Sequence, residues 1–405
     1  MHSIYFESAV IIIALVLSVS FILQARRWQR KEMQMPVACT RPWDSLEIHE
    51  GGEVKVCCWT KMSVGNIQEQ SLMDIWNGEP LQIMRRNMLA GNLERMCRSW
   101  CPALKEKWFT SINLSSSHFN SPHQRNKKLL ASEIKAKKTI IQSFPLNLRL
   151  FPTERCNIAC VMCLQDHQNR EWDRPVSEYG VDKLIPYLQT IQAVGGEPLV
   201  STDFRKFVAD FSPVDHPDCR LQMLTNGLLL DNQFLDLMPG RFSWVGVSVD
   251  GATKETFERI RVGASWETLL LRLQALADLK GRDFEVTILF TVMRSNYHEL
   301  IKIRDLANSF GFSLGVSPVH EFSHGEQIEQ LEDVQTILNL LRQLQNSFAR
   351  VLKITSAIYF YEKMKQLMIS VSSSSDRRAI YQEQLQDHLA ALNPRALSEG
   401  NTVRL

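Results

Sequence analysis

Three cysteines, Cys156, Cys160 and Cys163, follow one another at the spacing C-x3-C-x2-C, directly after the apolar stretch 146–151. Three thiolates on one short loop can bind three irons of a 4Fe–4S cluster and leave the fourth iron open to a small ligand that takes an electron. A zinc loop and three buried free thiols are the alternatives. Structural zinc takes four ligands, and His167 is the candidate for the fourth. The spacing favours an iron–sulfur site.

A second set of polar and glycine residues follows the apolar stretches downstream of this loop. It comprises Gly195, Gly196, Glu197, Pro198, Asn226, Ser248, Asp250 and Arg261. Two consecutive glycines let a backbone approach a ligand closely. Taken singly, the glycine pair and Asp250-Gly251 would indicate plain turns, and Arg261 would indicate a solvated helix end.

The order of these motifs resembles that of the radical S-adenosylmethionine (SAM) enzymes. The matching segments are the cysteine loop, G-G-E-P at 195–198, S-x-D-G at 248–251 and E-R-I-R-x-G at 258–263. The resemblance implies that SAM binds the open iron through its amino and carboxylate groups. It also implies that the backbone of 195–198 receives the ammonium group and that Ser248 and Arg261 contact the ribose and carboxylate. The implied reaction is reductive cleavage of SAM to methionine and a 5′-deoxyadenosyl radical that abstracts hydrogen from a substrate. An electron donor such as flavodoxin or ferredoxin would supply the electron.

Composition limits the partners of the chain. The 405 residues are 44% hydrophobic, which is enough for a large core, and the formal net charge of +2 gives no sign of nucleic-acid binding. The nine cysteines are odd in number and closely spaced, which is typical of metal ligands in a reducing compartment rather than of a disulfide framework.

The N-terminal segment is predicted to be a membrane anchor. Residues 8–24 carry no charge and are rich in Ile, Val, Leu and Ala, and four basic residues follow between positions 26 and 31. At ~1.5 Å per residue the apolar run covers about 25 Å of a hydrocarbon core of about 30 Å. A cleaved signal peptide would need basic residues at 1–7, and a helix apolar on all sides would otherwise need a large core. Residues 1–31 are therefore predicted to be a single-pass anchor, with the catalytic part in the cytoplasm.

Residues 36–110 form a second cysteine-rich region. Its cysteines are Cys39, Cys57, Cys58, Cys97 and Cys101. A first cysteine, a hairpin ending in Cys-Cys, G-N-I, S-L-x-x-I-W-N, an arginine-containing helix and a closing cysteine pair resemble the SPASM/twitch domain of radical SAM maturases. In most of these proteins that domain follows the core, whereas here it precedes it. Cys39, Cys57, Cys97 and Cys101 can together hold an auxiliary 4Fe–4S cluster, with Cys58 as the rival to Cys57. A structural zinc ribbon could use the same four ligands.

From residue 145 onwards strand and helix patterns alternate. Strands are predicted at 146–151, 191–194, 221–225, 244–249, 285–291 and 313–317, and helices at 181–188, 203–211, 266–279 and 298–310. Repeated β-α units predict a parallel α/β sheet, and the resemblance implies a partial (β/α)6 barrel with its reactive groups at the carboxyl ends of the strands. Residues 111–144 are predicted to be a linker, 145–320 the radical SAM core and 321–405 a helical C-terminal extension.

Two classes of function account for these features. The first is a radical SAM enzyme that modifies a peptide, a protein or a small molecule with help from the auxiliary cluster. The second is a non-catalytic, membrane-tethered scaffold that binds zinc at both cysteine groups. Gly196, Ser248 and Arg261 favour the enzyme, because a scaffold has no use for a SAM pocket. The sequence indicates neither a particular substrate nor the residues that act as general acid or base.

Overall fold

The computed structural model describes about seven tenths of the chain, in two compact units. The described residues are 32–98, 101, 111–114, 120–163, 176–279, 281–319, 325–328, 330–345, 351–352, 357–358, 361–362 and 364–365. Unit 1 comprises residues 1–150, 173–191 and 212–220, and unit 2 comprises 151–172, 192–211 and 221–405. The domain boundaries drawn from the sequence stay predictions.

Unit 1 contains six short strands and four helices among its described residues. The strands are β1 (Glu32–Gln34), β2 (Ser45–Ile48), β3 (Glu53–Lys55), β4 (Gly65–Asn66), β5 (Ser111–Asn113) and β6 (Asn147–Leu150). The helices are α1 (Arg41–Asp44), α2 (Leu72–Trp76), α3 (Glu79–Leu89) and α4 (Pro122–Lys135). The strand order is β4-β3-β2-β6, in which β2 and β6 are parallel and the other pairs antiparallel, and β1 pairs with β5.

Capping and burial explain the helices of unit 1. The Ser71 side chain accepts a hydrogen bond from the Asp74 amide and starts α2, and Ser121 does the same for Gln124 and α4. Helix α4 lies within the predicted linker, yet it buries Leu130 and Ile134 completely. This segment therefore contributes to the core of unit 1.

Unit 2 contains eight strands and six helices among its described residues, with the first residues of β8 and β9 falling in unit 1. The strands are β7 (Ala159–Cys160), β8 (Thr190–Ala193), β9 (Arg220–Thr225), β10 (Phe242–Ser248), β11 (Arg261–Val262), β12 (Glu285–Val292), β13 (Ser313–Pro318) and β14 (Val351–Leu352). The helices are α5 (Thr202–Asp210), α6 (Asn232–Leu237), α7 (Lys254–Ile260), α8 (Trp266–Asp278), α9 (Leu300–Ser309) and α10 (Leu331–Gln345).

The main sheet of unit 2 is parallel, as the sequence predicted. Strands follow in the order β8-β9-β10-β12-β13-β14, and every pair from β9 to β14 is parallel. Alternate residues of β9 are buried, as expected for strands covered by helices on one face. The strands do not close into a barrel within the described residues, so the parallel α/β fold is confirmed and the partial barrel stays a prediction.

The predicted membrane anchor lies at 1–31, outside the described residues. Among the residues that are described, no helix has both the length and the apolar character needed to span a bilayer. Of the predicted helical extension at 321–405, residues 366–405 also lie outside the described residues.

Candidate functional site

A cavity of about 220 Å³ in unit 2 collects most of the residues singled out in the core. The predicted residues on its wall are Cys156, Cys160, Cys163, Gly195, Gly196, Asn226, Ser248 and Arg261. They lie on the cysteine loop, at or just past the carboxyl ends of β8, β9 and β10, and at the start of β11. The other three predicted residues, Glu197, Pro198 and Asp250, are buried.

Strand pairing brings Arg261 beside the cysteine loop. β7 and β11 are antiparallel, with Cys160 directly opposite Arg261, and the Arg261 Nη1 lies 3.6 Å from the Cys160 Sγ. Burial raises the pKa of the Cys160 thiol to about 11, although the neighbouring guanidinium opposes this shift. Arg261 alone therefore supplies too little positive charge to stabilise a thiolate at this position. A bound metal cluster would provide the additional positive charge.

The two glycines allow close contact between neighbouring stretches of backbone. A Cβ on Gly195, whose φ is +125°, would lie 2.7 Å from the Thr153 carbonyl oxygen, and one on Gly196 would clash with the carbonyl oxygen of Arg155. The Gly196 amide donates to the Thr153 carbonyl at 2.9 Å, and the Glu197 amide donates to that of Arg155 at 2.9 Å. The G-G-E-P segment therefore holds the residues that lead into Cys156, and its contact with SAM stays a prediction.

The side chain of Glu197, a residue of the predicted SAM-binding segment, binds protein groups through its carboxylate. It is fully buried and accepts hydrogen bonds from the Thr225 hydroxyl at 2.8 Å and the Asn226 amide at 2.7 Å. Burial raises the pKa of Glu197, and these bonds oppose the shift. The Asn226 side chain in turn donates to the Asn157 Oδ1 at 2.8 Å. Glu197 thus fixes the turn after β9, which positions the cysteine loop.

Asp250 forms a buried ion pair with Arg261 of the cavity wall. The Arg261 Nη2 lies 2.5 Å from the Asp250 Oδ2, and the Asp250 Oδ1 accepts the Thr291 amide at 2.8 Å. The nearby carboxylate raises the pKa of Arg261 against the opposing effect of burial. The buried Arg261 Nε finds no hydrogen-bond partner among the described residues. This orphaned donor belongs to a residue of the cavity wall, where it fits an anionic ligand group such as a carboxylate.

Two buried residues that the sequence analysis missed hold the Asp250 loop. Asn296 donates from its Nδ2 to the carbonyl oxygens of Asp250 and Thr291, both at 2.9 Å. The Glu299 carboxylate accepts the Ala252 amide at 2.5 Å and the Thr253 hydroxyl at 2.8 Å. Both residues follow the carboxyl end of β12, and that location was the signal that could have found them.

In unit 1, the four thiols predicted to hold the auxiliary cluster share one small cavity of about 20 Å³. Cys39 precedes α1, Cys57 follows β3, and Cys97 forms a β-bridge with Thr60. The Cys101 amide donates to the Arg98 carbonyl at 3.0 Å. A hairpin and a short loop therefore bring cysteines from distant parts of the sequence together.

Cys57 and Cys58 have different surroundings, although both were open as ligands. Cys57 lies on the cavity wall, whereas the exposed Cys58 interacts with the Arg149 side chain. This difference favours Cys57 as the fourth ligand.

Burial disfavours free thiolates in this cavity. It raises the pKa of Cys57 to about 12 and that of Cys39 further, and contact with Cys101 is the main cause of the raised pKa of Cys97. Within the described part of the chain, no three Cys, His, Asp or Glu side chains form a group that could hold a metal ion. A 4Fe–4S cluster differs from a single ion because each thiolate binds its own iron, so the donor set fits such a cluster better than zinc.

The fold and the two cavities define a protein with a parallel α/β core and two thiol-lined sites. Residues 150–307 match the radical SAM superfamily, and residues 39–102 match the iron–sulfur cluster-binding domain called SPASM. The chain therefore contains a radical SAM domain, with a SPASM domain N-terminal to it. These domains confirm the predicted type of cofactors, which are a SAM-binding 4Fe–4S cluster with SAM and an auxiliary iron–sulfur cluster.

The similar proteins include curated relatives and solved structures. A mycofactocin maturase, MftC of Mycolicibacterium smegmatis, is 26% identical over 206 residues, which are 49% of this chain and 50% of the relative. A "Probable GTP 3',8-cyclase" of Methanococcus maripaludis is 25% identical over 181 residues, 44% of this chain and 58% of the relative. The crystal structure of Streptococcus suis SuiB bound to precursor peptide SuiA has a TM-score of 0.45 and 16% identity, and the match covers 69% of this chain and 64% of SuiB. The chain spans only 50–58% of the length of the two curated relatives.

Proposed function

We propose that the chain is a radical SAM enzyme that cleaves SAM reductively and modifies a peptide, a protein or a small molecule. The observation that carries the proposal is the cavity shared by three thiols, the glycine pair, Asn226, Ser248 and Arg261, whose Nε has no hydrogen-bond partner among the described residues. When bound to Cys156, Cys160 and Cys163, a 4Fe–4S cluster supplies the electron that splits SAM into methionine and a 5′-deoxyadenosyl radical.

The protein's own residues have positioning roles in this reaction. Asp250 fixes the guanidinium of Arg261 so that its free Nε is available to a carboxylate, which is one of the groups of SAM. Glu197 and Asn226 hold the cysteine loop in its position on the cavity wall. Ser248 lies on the same wall, at the end of β10, where a hydroxyl can bond to the ribose. These buried contacts preorganise the site before SAM binds.

The substrate is proposed as a class, because the relatives do not select one. One curated relative is named a maturase and another a GTP cyclase, and the match with this chain covers less than two thirds of each relative's length. The SPASM domain before the core supports an auxiliary cluster that accepts an electron from the substrate or contacts it. A flavodoxin or ferredoxin is proposed as the electron donor.

The direct test is anaerobic reconstitution followed by reduction in the presence of SAM. The enzyme should form 5′-deoxyadenosine and methionine, quantified by mass spectrometry, and should contain iron and sulfide in equal amounts. A protein that purifies with zinc, lacks sulfide and leaves SAM intact would instead be the membrane-tethered scaffold.

Replacing a ligand of the auxiliary site should remove one cluster without stopping SAM cleavage. In Cys101→Ala, iron and sulfide should fall by about half, because four thiolates are needed to hold that cluster. Formation of 5′-deoxyadenosine without substrate should continue, because the variant leaves the unit 2 cavity intact. Iron, sulfide and zinc analysis measures the loss. Cys58→Ala is the matched control, and an equal loss of iron in that variant would contradict the assignment of Cys57.

We also propose that residues 1–31 anchor the enzyme in the cytoplasmic membrane. The uncharged run at 8–24 and the basic residues after it support this localisation. Deleting 1–31 should move the protein from the membrane fraction to the supernatant while both clusters are retained. Full-length protein that stays in the supernatant without detergent would rule out the anchor.

A further inference from the structure

Arg85 is a fully buried cation in helix α3 of unit 1. Its Nε donates to the Pro42 carbonyl at 3.0 Å and its Nη2 to the Trp76 carbonyl at 2.9 Å. Its Nη1 donates to the Thr139 carbonyl at 2.8 Å and to the Asn77 Oδ1 at 3.2 Å. The guanidinium also lies 4.8 Å from the centroid of the Trp76 ring.

The hydrogen bonds that Arg85 makes within the described residues all end on neutral oxygens. Glu133 is the carboxylate that acts on it electrostatically, but Glu133 accepts the Gln142 and Ser143 amides and lies 3.7 Å from the Lys138 Nζ. Burial lowers the pKa of Arg85 to about 9, so the side chain stays charged at neutral pH. Neutral acceptors satisfy its donors but do not neutralise the charge, and a buried charge is costly unless an anion lies close to it.

Residues that neighbour Arg85 line the four-thiol cavity. Met84 and Met88, on the same helix, lie on the cavity wall, and so does Pro42, whose carbonyl Arg85 binds. A cluster held by four thiolates carries net negative charge, and this charge grows when the cluster is reduced. The charged side chains that act on the Cys39 and Cys57 thiols are Arg41, Asp44 and Glu47, of which Arg41 lies on the cavity wall itself.

We propose that Arg85 is the buried counter-charge of the auxiliary cluster and raises its reduction potential. A fixed cation one side-chain layer behind the cluster stabilises the reduced state more than the oxidised state, because the reduced state is more negative. Arg85 would thereby make the auxiliary cluster a better electron acceptor. This role rests on the proposed auxiliary cluster.

The test is a redox titration of the auxiliary cluster followed by EPR. The parent protein carries alanine at Cys156, Cys160 and Cys163, so that the auxiliary cluster alone contributes the signal. Arg85→Met should shift the midpoint to more negative potential, whereas Arg85→Lys, which keeps the charge but not the set of hydrogen bonds, should stay close to the parent. Arg86→Met is the matched control, because Arg86 is the next residue of the same helix and is exposed, where solvent screens its charge. Its midpoint should not move.

Each outcome bears on the proposal. Equal shifts in the methionine and lysine variants, or an unchanged midpoint in Arg85→Met, would overturn it. If Arg85→Met does not fold, Arg85→Gln replaces it as a neutral variant that keeps a donating amide. Loss of the cluster in both neutral variants but not in Arg85→Lys would support the charge requirement, and loss in all three would show a structural role only. Zinc or no metal in the parent would instead refute the auxiliary cluster of the proposed function.

Discussion

Cys160→Ala should reduce 5′-deoxyadenosine formation to the level of a control without protein. The remaining two thiols cannot hold a cluster that needs three, and the open iron that binds SAM is lost with it. Iron content should fall by about four atoms per chain, since the auxiliary site keeps its own four thiols. The measurements are quantification of 5′-deoxyadenosine after reduction, together with iron and sulfide analysis of the same sample.

Cys219→Ala is the matched control for this substitution. Cys219 is also buried, and burial raises the pKa of its thiol to about 12, but it lies on neither cavity wall. The Cys219→Ala variant should keep both clusters and should cleave SAM at the normal rate. If Cys160→Ala formed 5′-deoxyadenosine at the rate of this control, the assignment of the cysteine loop would be wrong.

Strand positions could be predicted because hydrophobic periodicity is a local property. The strand predicted at 221–225 is observed as Arg220–Thr225, and that predicted at 285–291 as Glu285–Val292. The helix predicted at 181–188 is wrong, and only a short 3-10 turn at Ile185–Tyr187 forms. Pro186 within that turn has no amide hydrogen to donate, which disfavours a continuing α-helix.

The members of the core site could be predicted from the sequence, but most of their roles could not. Motif order placed Arg261 in the site, and the pairing of β7 with β11 explains how it reaches Cys160. The sequence did not show that the Glu197 carboxylate accepts hydrogen bonds from Thr225 and Asn226, because such contacts depend on the fold. Asn296 and Glu299 were missed for the same reason, since their bonds to the Asp250 loop require the ends of β10 and β12 to lie side by side.

Asp250→Ala should impair both stability and SAM binding. The side chains of Arg261 and Asp250 are only 7% and 1% exposed, so removing the carboxylate leaves a buried, unpaired guanidinium. Breaking a buried ion pair in this way costs about 3–5 kcal/mol. Arg261 would also lose the contact that holds its guanidinium, and with it the free Nε, in place. The melting temperature should fall. The dissociation constant for SAM should rise at least about tenfold, which corresponds to ~1.4 kcal/mol. This constant can be measured from the SAM-dependent change in the EPR spectrum of the reduced cluster.

Arg261→Lys separates the two effects of this pair. A lysine keeps a positive charge for Asp250 but has no Nε–H donor in a planar fork, so stability should change less than in Asp250→Ala while SAM binding weakens. Glu267→Gln is the surface control, because its pair with Lys254 is exposed and should be dispensable for both properties. Arg261→Lys with unchanged affinity for SAM would mean that the orphaned Nε does not bind the ligand. The Asp250–Arg261 pair would then have a structural role only, and Ser248 and the glycine segment would have to carry the recognition of SAM.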